Sequence, residues 1–140
     1  MTVFSRTRTV VAAAALAAVA GTAGTAFATS GAIPGLYSTG VSFTSGGWQY
    51  VAGSYADQYF NYHGYLNDTQ DDGNAVYTQG RVDGYGWSQR FYYGGGANTG
   101  TYQSIYVSGA DPIVKGQMNA CRDRGAWYPN NCVQSAWYYS

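Results

Sequence analysis

From residue 37 onward, apolar and polar positions alternate in short runs. Between the runs lie clusters rich in Gly, Asn, Asp and Ser, the pattern of strands joined by turns. Strands are predicted over 37–44 and 48–55, separated by a Ser45-Gly46-Gly47 turn, and over the aromatic-rich stretch 57–66. The polar block from Asn67 to Asn74 carries an Asp72-Gly73 turn signal and is predicted as a hairpin loop. The longest run is 75–93. Its alternation places Tyr77, Gln79, Arg81, Asp83, Tyr85 and Trp87 on one face, and Val76, Thr78, Gly80, Val82 and Gly84 on the other. The second set is small and apolar and is expected to face the core; Gly84 and Gly86 predict a bulge or bend. A Gly/Asn-rich loop at 94–100 leads to a strand over 101–108 and a turn at Gly109-Ala110-Asp111-Pro112. A strand over 113–122, a loop over 123–131 and a last strand over 132–139 complete the chain. Seven or eight short strands, spaced by roughly 10 to 15 residues, point to an all-β fold: a small antiparallel β-sandwich, with a small closed barrel as the alternative.

The first 28 residues read differently. Arg6 and Arg8 precede an apolar run from Val10 to Ala20, and Ala26-Phe27-Ala28 fits a signal-peptidase site. This is the order of a cleaved secretory signal peptide, expected at 1–28. Residues 29–36, Thr-Ser-Gly-Ala-Ile-Pro-Gly-Leu, are small, uncharged and broken by Pro34 and Gly35. They are expected to form a flexible N-terminal arm ahead of a single domain at 37–140.

Removing 28 of 140 residues leaves 112, with five basic against seven acidic side chains. So weak a charge, with no basic cluster, gives no footprint for nucleic acid or anionic lipid. No apolar segment reaches the length of a membrane span, so an extracellular, exported protein without membrane insertion is expected. The chain contains no glutamate, while Gly and Tyr abound; this composition favours twisted strands over helices. Cys121 and Cys132 are the only cysteines. In an oxidising compartment they read as one disulfide, because two Cys and one His are too few for a closed zinc site.

Signals for catalysis are weak. His63, in Asn61-Tyr62-His63-Gly64, is the only imidazole base, and no G-x-S-x-G elbow accompanies it. Among the seven aspartates, Asp68, Asp71 and Asp72 fall in what reads as a solvated turn, and Asp111 and Asp123 in loop settings. The block 68–74 lacks the alternating ligands and terminal glutamate of an EF-hand and reads better as a hydrated turn. Gly94-Gly95-Gly96 is followed by no G-K-[ST]. No cofactor and no metal are expected.

What remains is aromatic surface. Twenty-two aromatic residues fall within 29–140, more than a small core can hide. Exposed Tyr and Trp stack on sugars or anchor interfaces. The local clusters are Tyr85 and Trp87 with Arg90-Phe91-Tyr92-Tyr93, then Trp127-Tyr128, then Trp137-Tyr138-Tyr139.

Two motifs carry a resemblance: V-Y-x-x-G-x-V-x-G-Y-G at 76–86 and C-R-D-x-G-x-x-x-P-x-N-C at 121–132. Together they resemble small secreted actinobacterial proteins, in particular the adaptor subunit of umbrella toxin particles. The likeness covers about half of residues 29–140. It implies a non-enzymatic adaptor joining larger secreted proteins, a lectin-like subunit and a toxin subunit, in an antibacterial complex. One contact would be made by the N-terminal arm (Ile33, Pro34, Leu36) inserted into a partner's cleft, the other by an open sheet edge. Tyr85, Trp87, Tyr92, Tyr93 and Trp127 are the aromatic candidates for partner binding. The alternatives are a lectin-like module that binds a glycan through Trp87, Tyr92, Tyr93 and Trp127, a stand-alone small bacteriocin and, last, a hydrolase.

Overall fold

The computed structural model describes residues 29–52, 58–109 and 112–140. The signal peptide expected at 1–28, the end of the strand expected at 48–55, and the centre of the Gly109–Pro112 turn lie outside these residues. The described chain is all-β, with ten strands in two antiparallel sheets and one disulfide. No helix among the described residues is long and apolar enough to cross a membrane.

Strands β1 (Ser30–Ile33), β2 (Leu36–Ser38), β3 (Val41–Ala52), β4 (Gln58–Asp68) and β7 (Thr99–Ser108) form the first sheet, in the order β1-β3-β4-β7 with β2 also on β3. Strands β5 (Val76–Val82), β6 (Phe91–Tyr93), β8 (Lys115–Arg122), β9 (Asn131–Gln134) and β10 (Tyr138–Tyr139) form the second, in the order β10-β8-β5-β6 with β9 also on β8. Both sheets contribute to one core. Phe43, Tyr50, Phe60, Tyr62 and Leu66 of the first meet Val76, Val82, Met118 and Ala120 of the second. Two buried tyrosine hydroxyls are satisfied across the interface: Tyr62 donates to Thr78 Oγ1 (3.0 Å), and Tyr50 donates to the Tyr138 carbonyl (2.6 Å). Gly80 is required where the sheets approach, because a Cβ there would lie 2.5 Å from Val107 and 2.7 Å from the Tyr62 ring.

Several expectations are corrected. Residues 29–36 are not a free arm: β1 pairs with β3 from Ser30↔Gln49 to Ile33↔Gly46, and β2 pairs with β3 at Leu36↔Phe43. Ile33 and Leu36 are buried in the core, and only Pro34 of the proposed arm contacts is exposed. Ser45-Gly46-Gly47 is not a turn but a bulge within the continuous strand β3, where the register shifts between Thr44 and Gly47. Ser45 takes a positive φ of 51° there. The extra residue switches the inward set from Val41 and Phe43 to Trp48 and Tyr50, so one strand keeps both apolar sets on the core. The turn sits instead at Thr39-Gly40, where Gly40 has φ 81°.

The block 67–74 is not a hairpin loop, since β4 and β5 belong to different sheets and the block crosses between them. Nor is it merely solvated. Asp68 is 3 % exposed, and Asp72 pairs with the buried Arg122. The run 75–93 is two strands, β5 and β6, folded against each other at Val76↔Tyr93. Its inward set does hold as far as Val82, whereas Gly84 is exposed in the intervening loop. The strand expected at 132–139 is split into β9 and β10 at Ser135, whose N–H donates to the Met118 carbonyl (2.9 Å) and whose Oγ accepts from the Met118 N–H (3.1 Å).

Candidate functional site

The two sheets leave one long side of the molecule open. Strand β7 spans ten residues and, among the described residues, pairs only with β4. Across from it, the edge of the second sheet is the three-residue β6. At one end the gap between these edges is bridged: Gln103 of β7 accepts from Thr78 Oγ1 (2.6 Å) and donates to the Phe91 carbonyl (3.1 Å). Towards the other end the edges part into a groove of about 410 Å³ lined by Tyr85, Trp87, Ser88, Phe91, Tyr106 and Val107 among others.

The 83–90 loop that forms one lip of the groove is held firmly. Ser88 donates its N–H to the Gly80 carbonyl (2.8 Å), its Oγ accepts from the Gly80 N–H (3.1 Å), and its carbonyl accepts from Gln79 Nε2 (2.7 Å). Asp83 Oδ1 accepts from the backbone N–H groups of Val114 (3.0 Å) and Lys115 (3.1 Å). Those bonds, that to Lys115 first, hold its carboxyl below the ordinary aspartate value. Trp87 is fixed by Arg81, whose guanidinium lies 4.4 Å from its ring centre and 4.7 Å from that of Trp137. Arg81 also donates through Nε (2.9 Å) and Nη2 (2.6 Å) to Gln117 Oε1.

No family model, curated protein or solved structure matches the chain. The site therefore rests on its own geometry.

That geometry divides the aromatic candidates. Tyr85 and Trp87 line the open-side groove, with Tyr85 half exposed. Tyr93 packs against the core. Tyr92 and Trp127 belong to a different region, around the disulfide. Cys121 and Cys132 are directly opposed on β8 and β9 and bonded, closing the 123–131 loop. Tyr92 donates to Asp123 Oδ2 (2.7 Å), and Arg90 Nη1 donates to the same oxygen (3.2 Å). The Tyr92 hydroxyl is the main cause of a lowered Asp123 pKa. Trp127 stands 91 % exposed at the tip of the loop.

Four exposed tyrosines escaped the sequence reading: Tyr37, Tyr65, Tyr102 and Tyr106, all on strands of the first sheet. The alternation of 101–108 does put Tyr102 and Tyr106 on one face. What it lacks is any indication that nothing in the described chain covers that face. His63 shares this face, with Nδ1 3.3 Å from Asn61 Oδ1 and its ring 6.4 Å from that of Tyr102. Among the described residues, no three His, Cys, Asp or Glu side chains converge in a way that could hold a metal ion.

Proposed function

We propose that the protein is a secreted, non-enzymatic adaptor that binds larger extracellular proteins by accepting an extended segment of a partner along β7. The observation that carries this reading is a ten-residue edge strand beside an aromatic groove. An edge offers a row of backbone donors and acceptors, and strand addition satisfies them while side-chain pockets select the sequence. Alternate side chains of the incoming segment would enter the groove between Tyr85, Trp87 and Phe91. Strand β7 carries no charged residue, and charge is a common device by which edge strands discourage such pairing. The role fits the antibacterial toxin assembly implied by the resemblance, though with one of its two contacts: the arm at 29–36 is committed to β3.

The test is affinity purification of the tagged mature chain from native culture supernatant, with mass spectrometry of co-purifying proteins. Large secreted partners in fixed ratio are expected. Tyr106→Lys with Ser108→Lys, both at exposed positions of the edge, should reduce recovery at least tenfold while leaving the melting curve in place. Recovery of the chain alone, or unchanged recovery by the double variant, would count against strand addition.

A further inference from the structure

A second groove lies apart from the β7 edge, beside the loop that the disulfide closes. Its volume is about 530 Å³, and its lining includes Arg90, Asp123, Tyr128, Pro129 and Asn130. The loop is held at several points besides Cys121–Cys132. The Gly125 N–H donates to Asp123 Oδ1 (2.9 Å), the Arg124 N–H donates to Asn130 Oδ1 (3.0 Å), and Asn130 Nδ2 donates to the Tyr77 hydroxyl (2.8 Å). The Arg124 guanidinium sits 5.1 Å from the centre of the Tyr128 ring. Yet this braced loop turns two large rings to water, Trp127 at 91 % exposure and Tyr128 at 61 %. Neither ring is in the core.

We propose that this groove is a carbohydrate site that takes a pyranose residue of an extracellular glycan, with Tyr128 stacking on the sugar face and Arg90 and Asp123 bonding its hydroxyls. A pyranose ring has an apolar C–H face that matches an exposed indole or phenol. Its hydroxyls each donate and accept, so neighbouring hydroxyls match a cation and a carboxylate side by side. Arg90 and Asp123 provide that pair at 3.2 Å, with side chains 44 % and 22 % exposed. The guanidinium has five N–H donors and uses Nη1 for Tyr92 and Asp123, which leaves others for a ligand. Such charge-assisted bonds are stronger than neutral ones. The braced loop lowers the ordering cost of binding. The site is separate from the β7 edge, so an adaptor could hold a protein partner and a glycan at once.

The test uses the folded mature chain on an array of bacterial, fungal and plant glycans, followed by titration of the best soluble glycan with tryptophan fluorescence. Binding to at least one class of pyranoside is expected. Tyr128→Ala, at a position exposed enough to leave the fold intact, should weaken it at least tenfold, and Asp123→Asn should do likewise. The edge variant Tyr106→Lys/Ser108→Lys should bind glycan as the wild type does, which separates this site from the adaptor contact. A blank array, or a hit unmoved by Tyr128→Ala, would overturn the proposal.

Discussion

The outer faces of the two sheets are built by the same alternation and end up opposite in character. In the first sheet, the strands contain a single charged residue, Asp68, and that one is buried. Its outer face is a lattice of amides and hydroxyls, in which Gln49 Nε2 donates to Asn61 Oδ1 (3.2 Å) and Asn61 Nδ2 to Ser104 Oγ (3.1 Å). Tyr65 and Tyr102 meet edge-on at 5.4 Å between ring centres. In the second sheet the outer face is covered. Trp87, Arg81, Trp137 and Lys115 form a ladder of alternating rings and cations, while Arg90, Tyr92, Asp123 and Asn130 gather over Tyr77. All five basic residues of 29–140 belong to the second sheet or its loops. Among the described residues, the basic side chains thus gather on the covered face and its loops, and the face without charge is the one left open.

The comparison breaks most severely at the disulfide, which ties the covered face together. Replacing both Cys121 and Cys132 with Ser should lower unfolding free energy by roughly 3 kcal/mol, measured by urea titration, on the chain-entropy account of a loop this short. A loss well below that would mean that the hydrogen bonds of the 123–131 loop alone hold β9 on β8.

Next comes the ladder. Arg81→Ala removes two stacked rings' shared cation and leaves Gln117 Oε1, in a residue only 6 % exposed, without its donor. The expected cost is about 2 kcal/mol, combining cation–π and charged hydrogen-bond contributions. Arg81→Lys should recover only part of it, because an ammonium cannot stack flat between two indoles while reaching Gln117.

This division was half legible in the sequence. Alternation located most strands, and the inward set Val76, Thr78, Gly80 and Val82 is buried. Segments 29–56 and 99–110 could be seen to carry no charge. Two kinds of information were missing. Local pattern does not report which sheet a strand joins, so Asn67–Asn74 read as a hairpin although it crosses between layers. It also treats Pro and Gly as breaks, so 29–36 read as an arm when Pro34-Gly35 only separates two short strands on β3. The site suffered in the same way: Tyr85 and Trp87 were visible as aromatics, but their groove depends on β7 lying across from β6, a contact far apart in sequence.

A smaller effect concerns pH. Asp83 and Asp123 both titrate below the ordinary aspartate value in the folded protein, the first because of backbone N–H donors and the second because of Tyr92. Their contribution is complete above the unfolded value of about 4 and disappears as pH falls through the folded values. Asp83→Asn with Asp123→Asn should flatten the acid limb of a stability–pH curve. At the other end, burial pushes Tyr50 up to about 12 from 10. The neutral phenol is favoured in the fold, so its contribution is complete below pH 10 and is lost as pH rises towards 12.

The smallest expected change in stability is on the open face, and it sharpens the contrast most. Tyr102 is 54 % exposed, meets Tyr65 edge-on and lies 6.4 Å from the His63 ring in a tilted arrangement. Tyr102→Ser removes an aromatic pair that contributes at most about 1 kcal/mol, and it leaves the Asn61–Ser104 bond in place. Its midpoint in urea should therefore move less than that of Arg81→Ala. If a partner's segment adds to β7, its outward side chains lie next to Tyr102 and Tyr106, and the same substitution should weaken partner recovery severalfold. A face that matters for binding and hardly for folding shows up as that mismatch. A variant that lost stability and binding in proportion would instead make the tyrosines part of the scaffold.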